Sequence, residues 1–311
     1  MGKVIGIGET VTDIIVRNGI PQKMVCGGSC LNTMVTLGRC GKKPLFVSEV
    51  GDDRLGRQTL RFLADNNVDS SFVAKEAGRQ SKLSLAFLND SSDAEYEFFS
   101  DKRGDVFPCR LPSVEFGDIV IFGSFYALNP LLHGGLSAFL ANAGENGALS
   151  YYDVNFRPTY LSQKDSLYGA LLDNFAQAGI VRGSDEDFCN IFGTADTAMV
   201  YDSIKSTSGC GVLIITRGKS GVDVLTPSLR LHYDVVPTNV VSTIGAGDTF
   251  NAGVVYSLAE DSVTQAELET MPKHWWDKTI HIATSLSAEV CGLTDNYISR
   301  QTGERLQNGF I

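Results

Sequence analysis

Residues 242–253 read STIGAGDTFNAG. Gly245, Ala246 and Gly247 lead into Asp248, and an apolar stretch from Phe250 to Leu258 follows. That order predicts a helix that begins in the small residues. A helix start carries about four unpaired amide N–H groups and roughly half a positive charge. Glycines let a ligand approach those donors, so the loop forms an anion hole. Asp248 is expected to stay ionised there, held by the same dipole. Beside an anion hole a carboxylate is odd if the loop only binds phosphate, because like charges repel. It makes sense if it takes a proton from a hydroxyl that then attacks a phosphoryl group. A loose phosphoryl-transfer transition state needs no strong base, so a carboxylate suffices. The plainer alternative is that Asp248 only caps the helix and the glycines only turn the chain.

Outward from this loop the chain has an α/β rhythm. KVIGIG (3–8) is a short β-branched strand ended by glycines, and 29–39 suits a helix with Leu31, Met34, Val35 and Leu37 as its apolar positions. LFVSEV (45–50) predicts a strand. Residues 54–67 predict a helix with Leu55, Leu60 and Leu63 nearly on one face. From 118 strands and helices alternate again: DIVIFG, then a helix over PLLHGGLSAFLANA (130–143), ALSYYDV, a helix over 165–178, IVRG, helical stretches to about 206 and GVLIITRG. Short β pieces fill 222–240, and a last helix covers 277–291. Residues 81–99 break the rhythm. KLSLAFL alternates, NDSSD turns and AEYEFF resumes, a β-hairpin with one exposed face. The expected fold is a doubly wound, mostly parallel sheet flanked by helices, in a single domain over 1–311. A small β-sheet lid is built from about 10–26 and 80–105.

The bulk composition narrows the function classes. The chain has 311 residues, 43% hydrophobic and 20% charged, an ordinary globular make-up. A net charge of −10 argues against non-specific nucleic-acid or anionic-membrane binding, which need a basic surface. Seven cysteines without a Cys-x-x-Cys pair fit reduced thiols, mostly core residues, in a cytoplasmic protein. MGKVIGIGET lacks the sustained apolar region of a signal peptide, and no apolar run reaches the ~18 residues of a membrane span. His133, His232, His274 and His281 are scattered and suggest no zinc site. Neither a Walker loop nor a complete Rossmann G-x-G-x-x-G is present. GIGETV supplies two of the three glycines needed, which weighs against a nicotinamide-dependent oxidoreductase.

IGAGDTFNAG resembles the C-terminal signature of the ribokinase-like (PfkB) carbohydrate kinases, D-T-x-G-A-G-D. GGSCLNTMVTLGRCG (27–41) followed by VGDDRLG (50–56) resembles the N-terminal one. The two lie some two hundred residues apart, and order and spacing match from Gly6 to about Gly292. The resemblance implies an ATP-dependent sugar kinase with Asp248 as catalytic base and the Gly245–Gly247 amides as anion hole. Asp13, Gly27, Gly28 and Asn32 would cradle the sugar; a carboxylate and an amide can each bind two hydroxyls. Singly, Asp13 also reads as a solvated loop residue and Asn32 as a polar helix residue. Asn155 and Arg157 in DVNFRP (153–158) follow a strand and would meet sugar or phosphate; a surface salt bridge is the alternative for Arg157. Thr216, Gly218 and Gly221 in ITRGKSG would meet ATP, although such a turn is often only a turn. Asn296 would border the adenine. The hairpin would be a lid over the sugar that excludes water, with aromatic surface from Tyr96, Phe98 and Phe99. In the family such strands often form a dimer contact, so a homodimer through the lid is implied.

The chain departs from the family pattern in places. Ser242 stands where the family has an Asp that helps hold a monovalent cation, which leaves potassium dependence open. The magnesium-linked N-x-x-E motif is replaced by GSDEDF (183–188), with Asp187 as the carboxylate that would order magnesium through water. Magnesium itself is required to neutralise the phosphates. YEFF, FGSFYAL (122–128) and DVNFRP look most like fructokinases and the related 2-keto-3-deoxygluconate kinases. Those relatives often have an arginine after the lid aromatics. Here Ser100 takes that place, with Lys102 and Arg103 nearby and Arg103 as the substitute. Fructose is the expected acceptor, with 2-keto-3-deoxygluconate or ribose as alternatives. A non-catalytic sugar or nucleotide sensor on the same fold is the alternative from another class.

Overall fold

The β-branched runs become strands of one large sheet in the computed structural model, which describes residues 2–88, 94–101 and 103–310. The NDSSD turn and Lys102 lie outside those residues, as does the Tyr96 side chain. In chain order the strands are β1 (Val4–Ile7), β2 (Val11–Arg17), β3 (Ile20–Gly27), β4 (Leu45–Gly51), β5 (Asp69–Glu76), β6 (Leu83–Leu88) and β7 (Ala94–Phe99). There follow β8 (Ile119–Gly123), β9 (Leu149–Asp153), β10 (Ile180–Ser184), β11 (Val212–Thr216), β12 (Val222–Leu225) and β13 (Arg230–Tyr233). The nine-stranded sheet has the order β13-β12-β11-β10-β9-β8-β1-β4-β5. Chain order rises in both directions from β1, which is the doubly wound arrangement. Only the β11-β12-β13 end is antiparallel among the described pairings. β1, β8 and β9 are buried along their whole length, as strands covered on both faces must be.

By compactness the chain divides into two units. The first holds Met1–Ile5, Ser113–Val236 and Gly253–Thr284; the second holds Gly6–Pro112, Pro237–Ala252 and Ser285–Ile311. In the second unit the helix Ser29–Arg39 buries Leu31, Met34, Val35 and Leu37 completely, the stripe its periodicity predicts. Each such aliphatic contributes about 1.5–3 kcal/mol by burial. The helix also presses its backbone on the chain: a Cβ on Gly38 would lie 2.0 Å from the Asn66 carbonyl oxygen. The next helix, Arg54–Asp65, buries Gly56, Thr59 and Leu63, while Leu55 and Leu60 are half-buried. Its face is rotated from the expected leucine stripe because Gly56 packs against the Gly51 carbonyl, 2.1 Å from where a Cβ would sit.

The same unit carries a four-stranded sheet, β3-β2-β6-β7. The hairpin β6–β7 is present, and β2 pairs β6 in parallel. Its alternation runs opposite to the usual amphipathic strand. Ser84 and Ala86 are fully buried, whereas Leu83 and Leu85 are half-buried and Phe87 is exposed. The buried side has a reason: Asp13, Ser84 and Phe98 are direct cross-strand partners and so share one face. Asp53 fastens the hairpin to the helix before it. Its Oδ1 accepts from the Gly56 N–H (2.7 Å) and the Ser81 hydroxyl (2.8 Å), and its Oδ2 from the Ser81 N–H (2.7 Å).

In the first unit, helices His133–Glu145 and Lys164–Gln177 pack on β9, and Asp185–Phe192 on β10. The helix expected from Pro130 starts at His133. Asn129 Oδ1 accepts from the Leu131 N–H and holds the preceding residues in a turn. The final long helix runs Lys273–Cys291, four residues earlier than its pattern predicts. A further helix, Arg300–Gln307, is capped by Ser299 and was not expected. No disulfide joins the seven cysteines, and Cys26, Cys30, Cys40 and Cys210 are buried. Among the described residues no helix is long and apolar enough to cross a membrane.

Two measurements test this account. Burial alone pushes the Asp53 carboxyl up, but the Gly56 and Ser81 hydrogen bonds outweigh it and hold it below the ordinary 3.8. A lowered folded pKa gives stability that is present above the unfolded value and lost as pH falls through the folded one. Asn caps a helix about as well as Asp but turns one acceptor into a donor, so Asp53→Asn should lose about 0.5–1.5 kcal/mol at pH 7 through the Ser81 or Gly56 bond, with the gap closing below pH 4 in urea titrations. Gly38→Ala should cost about 1–3 kcal/mol in the same assay, since the Asn66 carbonyl blocks the new methyl.

Candidate active site

The helix predicted from GAGD runs Ala246–Glu260, and Asp248 lies in its first turn. Gly245, just ahead of it, has φ 80°, and a Cβ there would lie 2.2 Å from the Asn296 carbonyl oxygen. Two separate demands therefore select glycine, a left-handed backbone and a peptide packed flat against another. The Ala246 N–H bends back to the Thr243 carbonyl at 3.3 Å, and its carbonyl accepts from the Ser287 hydroxyl at 3.0 Å. The Ser242 hydroxyl oxygen accepts from the Ile244 N–H at 3.2 Å.

Asp248 is half-buried and held from a second helix start. Its Oδ1 accepts from the Ser29 hydroxyl at 2.6 Å and its Oδ2 from Asn32 Nδ2 at 2.8 Å. Its main-chain carbonyl accepts from the Thr33 hydroxyl at 3.0 Å. Ser29, Asn32 and Thr33 share a face of the helix Ser29–Arg39 because three- and four-residue spacings bring side chains together. With Nδ2 on Asp248, the buried Asn32 Oδ1 has no hydrogen-bond partner among the described residues. Sequence reasoning selected Asn32 and Asp248 but missed Ser29 and Thr33. Their spacing around Asn32 was the available signal.

Asp13 lies on β2 and is buried. The Ser84 hydroxyl donates to its Oδ1, and its Oδ2 lies 2.5 Å from where Gly27 would carry a Cβ. Gly27 thus leaves room for the carboxylate itself. Gly28 has φ 123° and would set a Cβ 2.3 Å from the Glu9 carbonyl. Phe98 shares the Asp13 face and is 62% exposed. Arg103 is engaged close to home. Its guanidinium pairs with Asp101 (2.7 Å) and donates to the Gly78 carbonyl. Lys23 on β3 reaches the Thr294 carbonyl at 3.3 Å and pairs with the Asp295 carboxylate, beside the buried Asn296.

The other candidates lie in the first unit. Asn155 follows β9 with φ 40° and donates to the Ser124 hydroxyl at 2.7 Å; Ser124, at the end of β8, also has positive φ, 54°. Two non-glycine residues in this region store strain, a pattern that favours functional loops. Arg157 is exposed. Thr216 ends β11, and its hydroxyl oxygen accepts from Arg182 Nη2 at 2.7 Å. Arg182 is buried on β10, and its Nη1 donates to Asp153 at 2.9 Å. Burial disfavours its charge, but the neighbouring Asp153 carboxylate outweighs this and raises its pKa. Sequence reasoning missed this pair; the signal was an arginine inside the apolar strand IVRG. Gly218 (φ 51°) has open space at its Cβ position, whereas Gly221 (φ 102°) would meet the Tyr233 carbonyl at 2.4 Å.

Asp187, expected as a metal-linked carboxylate, lies in the first turn of the helix Asp185–Phe192. It forms a reciprocal cap with Ser184: Asp187 Oδ2 accepts from the Ser184 N–H (2.7 Å) and hydroxyl (2.8 Å), while the Asp187 N–H donates to Ser184 Oγ (3.1 Å). Burial pushes its carboxyl up against those bonds. Among the described residues no three His, Cys, Asp or Glu side chains converge as a metal cluster.

The comparisons with known proteins agree with this architecture. Fructokinase of Klebsiella pneumoniae is 26% identical over 266 residues, 84% of this chain and 86% of the relative. The crystal structure of aminoimidazole riboside kinase from Salmonella enterica, with aminoimidazole riboside and an ATP analog, superposes with a TM-score of 0.85 at 21% identity, covering 99% of both chains. Fructokinase from Vibrio cholerae O395, with fructose, ADP and calcium ion, gives 0.83 at 22% identity, covering 95% of this chain and 94% of the other. The family described as pfkB family carbohydrate kinase matches residues 2–274. With the glycine-led helix start, its clasped aspartate and the small separate sheet in place, the chain belongs to the pfkB family of carbohydrate kinases.

Proposed function

We propose that this carbohydrate kinase transfers the γ-phosphoryl group of ATP to a hydroxyl of fructose, with Asp248 as general base. The observation that carries the reading is the Asp248 carboxylate, half-buried in a helix first turn and fixed at both oxygens by Ser29 and Asn32. A carboxylate oxygen has two lone pairs, so the group that Ser29 and Asn32 orient is of the type that accepts a hydroxyl proton. The amides of Gly245 and Gly247 are the anion hole in this reading, since Ala246 already bonds Thr243. Asn32 Oδ1, buried without a partner, is suited to accept from a sugar hydroxyl.

Asp13 would take further hydroxyls, oriented by Ser84, and Phe98 on the same face offers a ring to the apolar side of the sugar. The small sheet would act as the lid that excludes water. Arg103 is not given a sugar contact, since Asp101 and Gly78 engage it. Fructose is supported by the fructokinase relative at 26% identity.

For the nucleotide we assign Thr216, Gly218, Gly221 and, at the adenine, Asn296. Because Arg182 occupies the acceptor side of Thr216, that hydroxyl is left to donate its proton to a phosphate oxygen. Asn155 and Arg157 would meet phosphate or sugar. Magnesium would be held through water by Asp187 Oδ1, since the cap contacts both fall on Oδ2. Magnesium and ATP supply a transferable phosphoryl group with part of its charge neutralised.

An ADP-release screen with magnesium, with and without potassium, tests the reading. Fructose should be turned over in preference to ribose, 2-keto-3-deoxygluconate and aminoimidazole riboside. Preference for one of these replaces fructose, and sugar-dependent thermal stabilisation without any ADP release leaves a sensor. Asp248→Asn should lower kcat by about 10²–10⁴-fold while fructose still raises the melting temperature; near-normal turnover removes Asp248 as base. Gly245→Ala should lose about 100-fold in kcat, since the added methyl must displace the helix start or the Asn296 peptide. Turnover within twofold of the parent would falsify the anion-hole assignment.

A further inference from the structure

We infer that Ser29 is a positioning residue for Asp248, and that Thr33 secures the backbone on which Asp248 is carried. The inference rests on the reading of Asp248 as base and adds two residues to it. Ser29 is the first residue of its helix, whose cap residue Gly28 offers no side-chain hydrogen bond and whose first turn holds no acid. A helix start so equipped lacks the negative charge that would complement its dipole. Asp248 supplies that charge from elsewhere in the chain: the Ser29 hydroxyl meets Oδ1 at 2.6 Å, within the range of a charge-assisted O–H···O⁻ bond.

The three contacts divide the work. Asn32 holds Oδ2 and keeps its carbonyl oxygen available. Ser29 holds the other oxygen and so fixes rotation of the carboxylate about its Cβ–Cγ bond. Thr33 does not touch the carboxylate. Its hydroxyl lies 3.0 Å from the Asp248 carbonyl and 3.2 Å from the Ser29 carbonyl, bridging the backbones of both helix starts. Hydrogen bonding to the ionised form favours that form, so Ser29 also keeps the base deprotonated at lower pH.

The test uses the full chain with Ser29→Ala, Ser29→Thr and Thr33→Val. In Ser29→Ala kcat should fall about 10–100-fold with KM for the sugar within about threefold, because Ser29 serves the base and not the sugar. The acid limb of kcat/KM should move up by about one pH unit, because the carboxyl loses a donor. Ser29→Thr, which keeps the hydroxyl, should restore both. Thr33→Val should lower kcat without moving the acid limb. A thermal-unfolding cycle separates this inference from the kinase reading. Ser29→Ala should lower the melting temperature by several degrees in the parent and by less than one degree in an Asp248→Ala background. Additive melting shifts overturn the inference even if no alcohol is phosphorylated. An unmoved acid limb with kcat within twofold overturns it in an active enzyme. If ADP release fails for every alcohol while the shifts are non-additive, the clasp stands and the kinase reading falls.

Discussion

A carboxylate shared between two helix starts is the constraint on which this site is built. Asp248 belongs to the first turn of one helix and accepts hydrogen bonds from the first turns of another. Both positions favour negative charge, and both oxygens have directional donors. The surrounding features follow from holding that group in place. Gly245 must be bare because the Asn296 peptide lies against it, and Gly28 must be bare because the Glu9 carbonyl does. Gly38 lets the helix that carries Ser29 and Asn32 lie close on the Asn66 turn. Close backbone contacts, more than large side chains, set the position of the acid.

A different solution operates at the carboxyl ends of β9, β10 and β11. There a buried arginine joins three neighbouring strands, pairing with Asp153 on one side and hydrogen-bonding Thr216 on the other. A buried ion pair is weak evidence for stability, since desolvation offsets much of the attraction. Its geometric effect is clearer: Arg182 orients the Thr216 hydroxyl, and the strained Asn155–Ser124 pair stands at the ends of β9 and β8. In this unit one buried side chain spans three strands, whereas around Asp248 short side-chain donors act from a helix that closely packed peptides seat.

Much of the fold was legible because burial imposes periodicity. Leu31, Met34, Val35 and Leu37 announced their helix, and the β-branched runs announced the strands of the large sheet. The misses have physical causes. β5 lies at the edge of its sheet, so DSSFVAKE has one buried residue, Val73, and little alternation to read. The helix Arg300–Gln307 buries Thr302, Gly303 and Leu306, and packs through Gly303 against the Arg39 carbonyl, where a glycine reads as a breaker. Of the candidate site, Asp248, Asn32 and the glycines were readable from motif spacing. Ser29, Thr33, Ser84 and Arg182 were not. Each acts on a partner far away in sequence, and local spacing or a charge inside an apolar strand marks such a residue without identifying its partner.

The clasp also has a bearing on biosynthesis. Ser29 and Asp248 are 219 positions apart. At a ribosomal pace of about 5–20 residues per second, the serine precedes its aspartate by roughly 10–45 s. A nascent chain cannot assemble both halves until most of it has emerged, so any reactivity that depends on them is withheld by the order of translation itself.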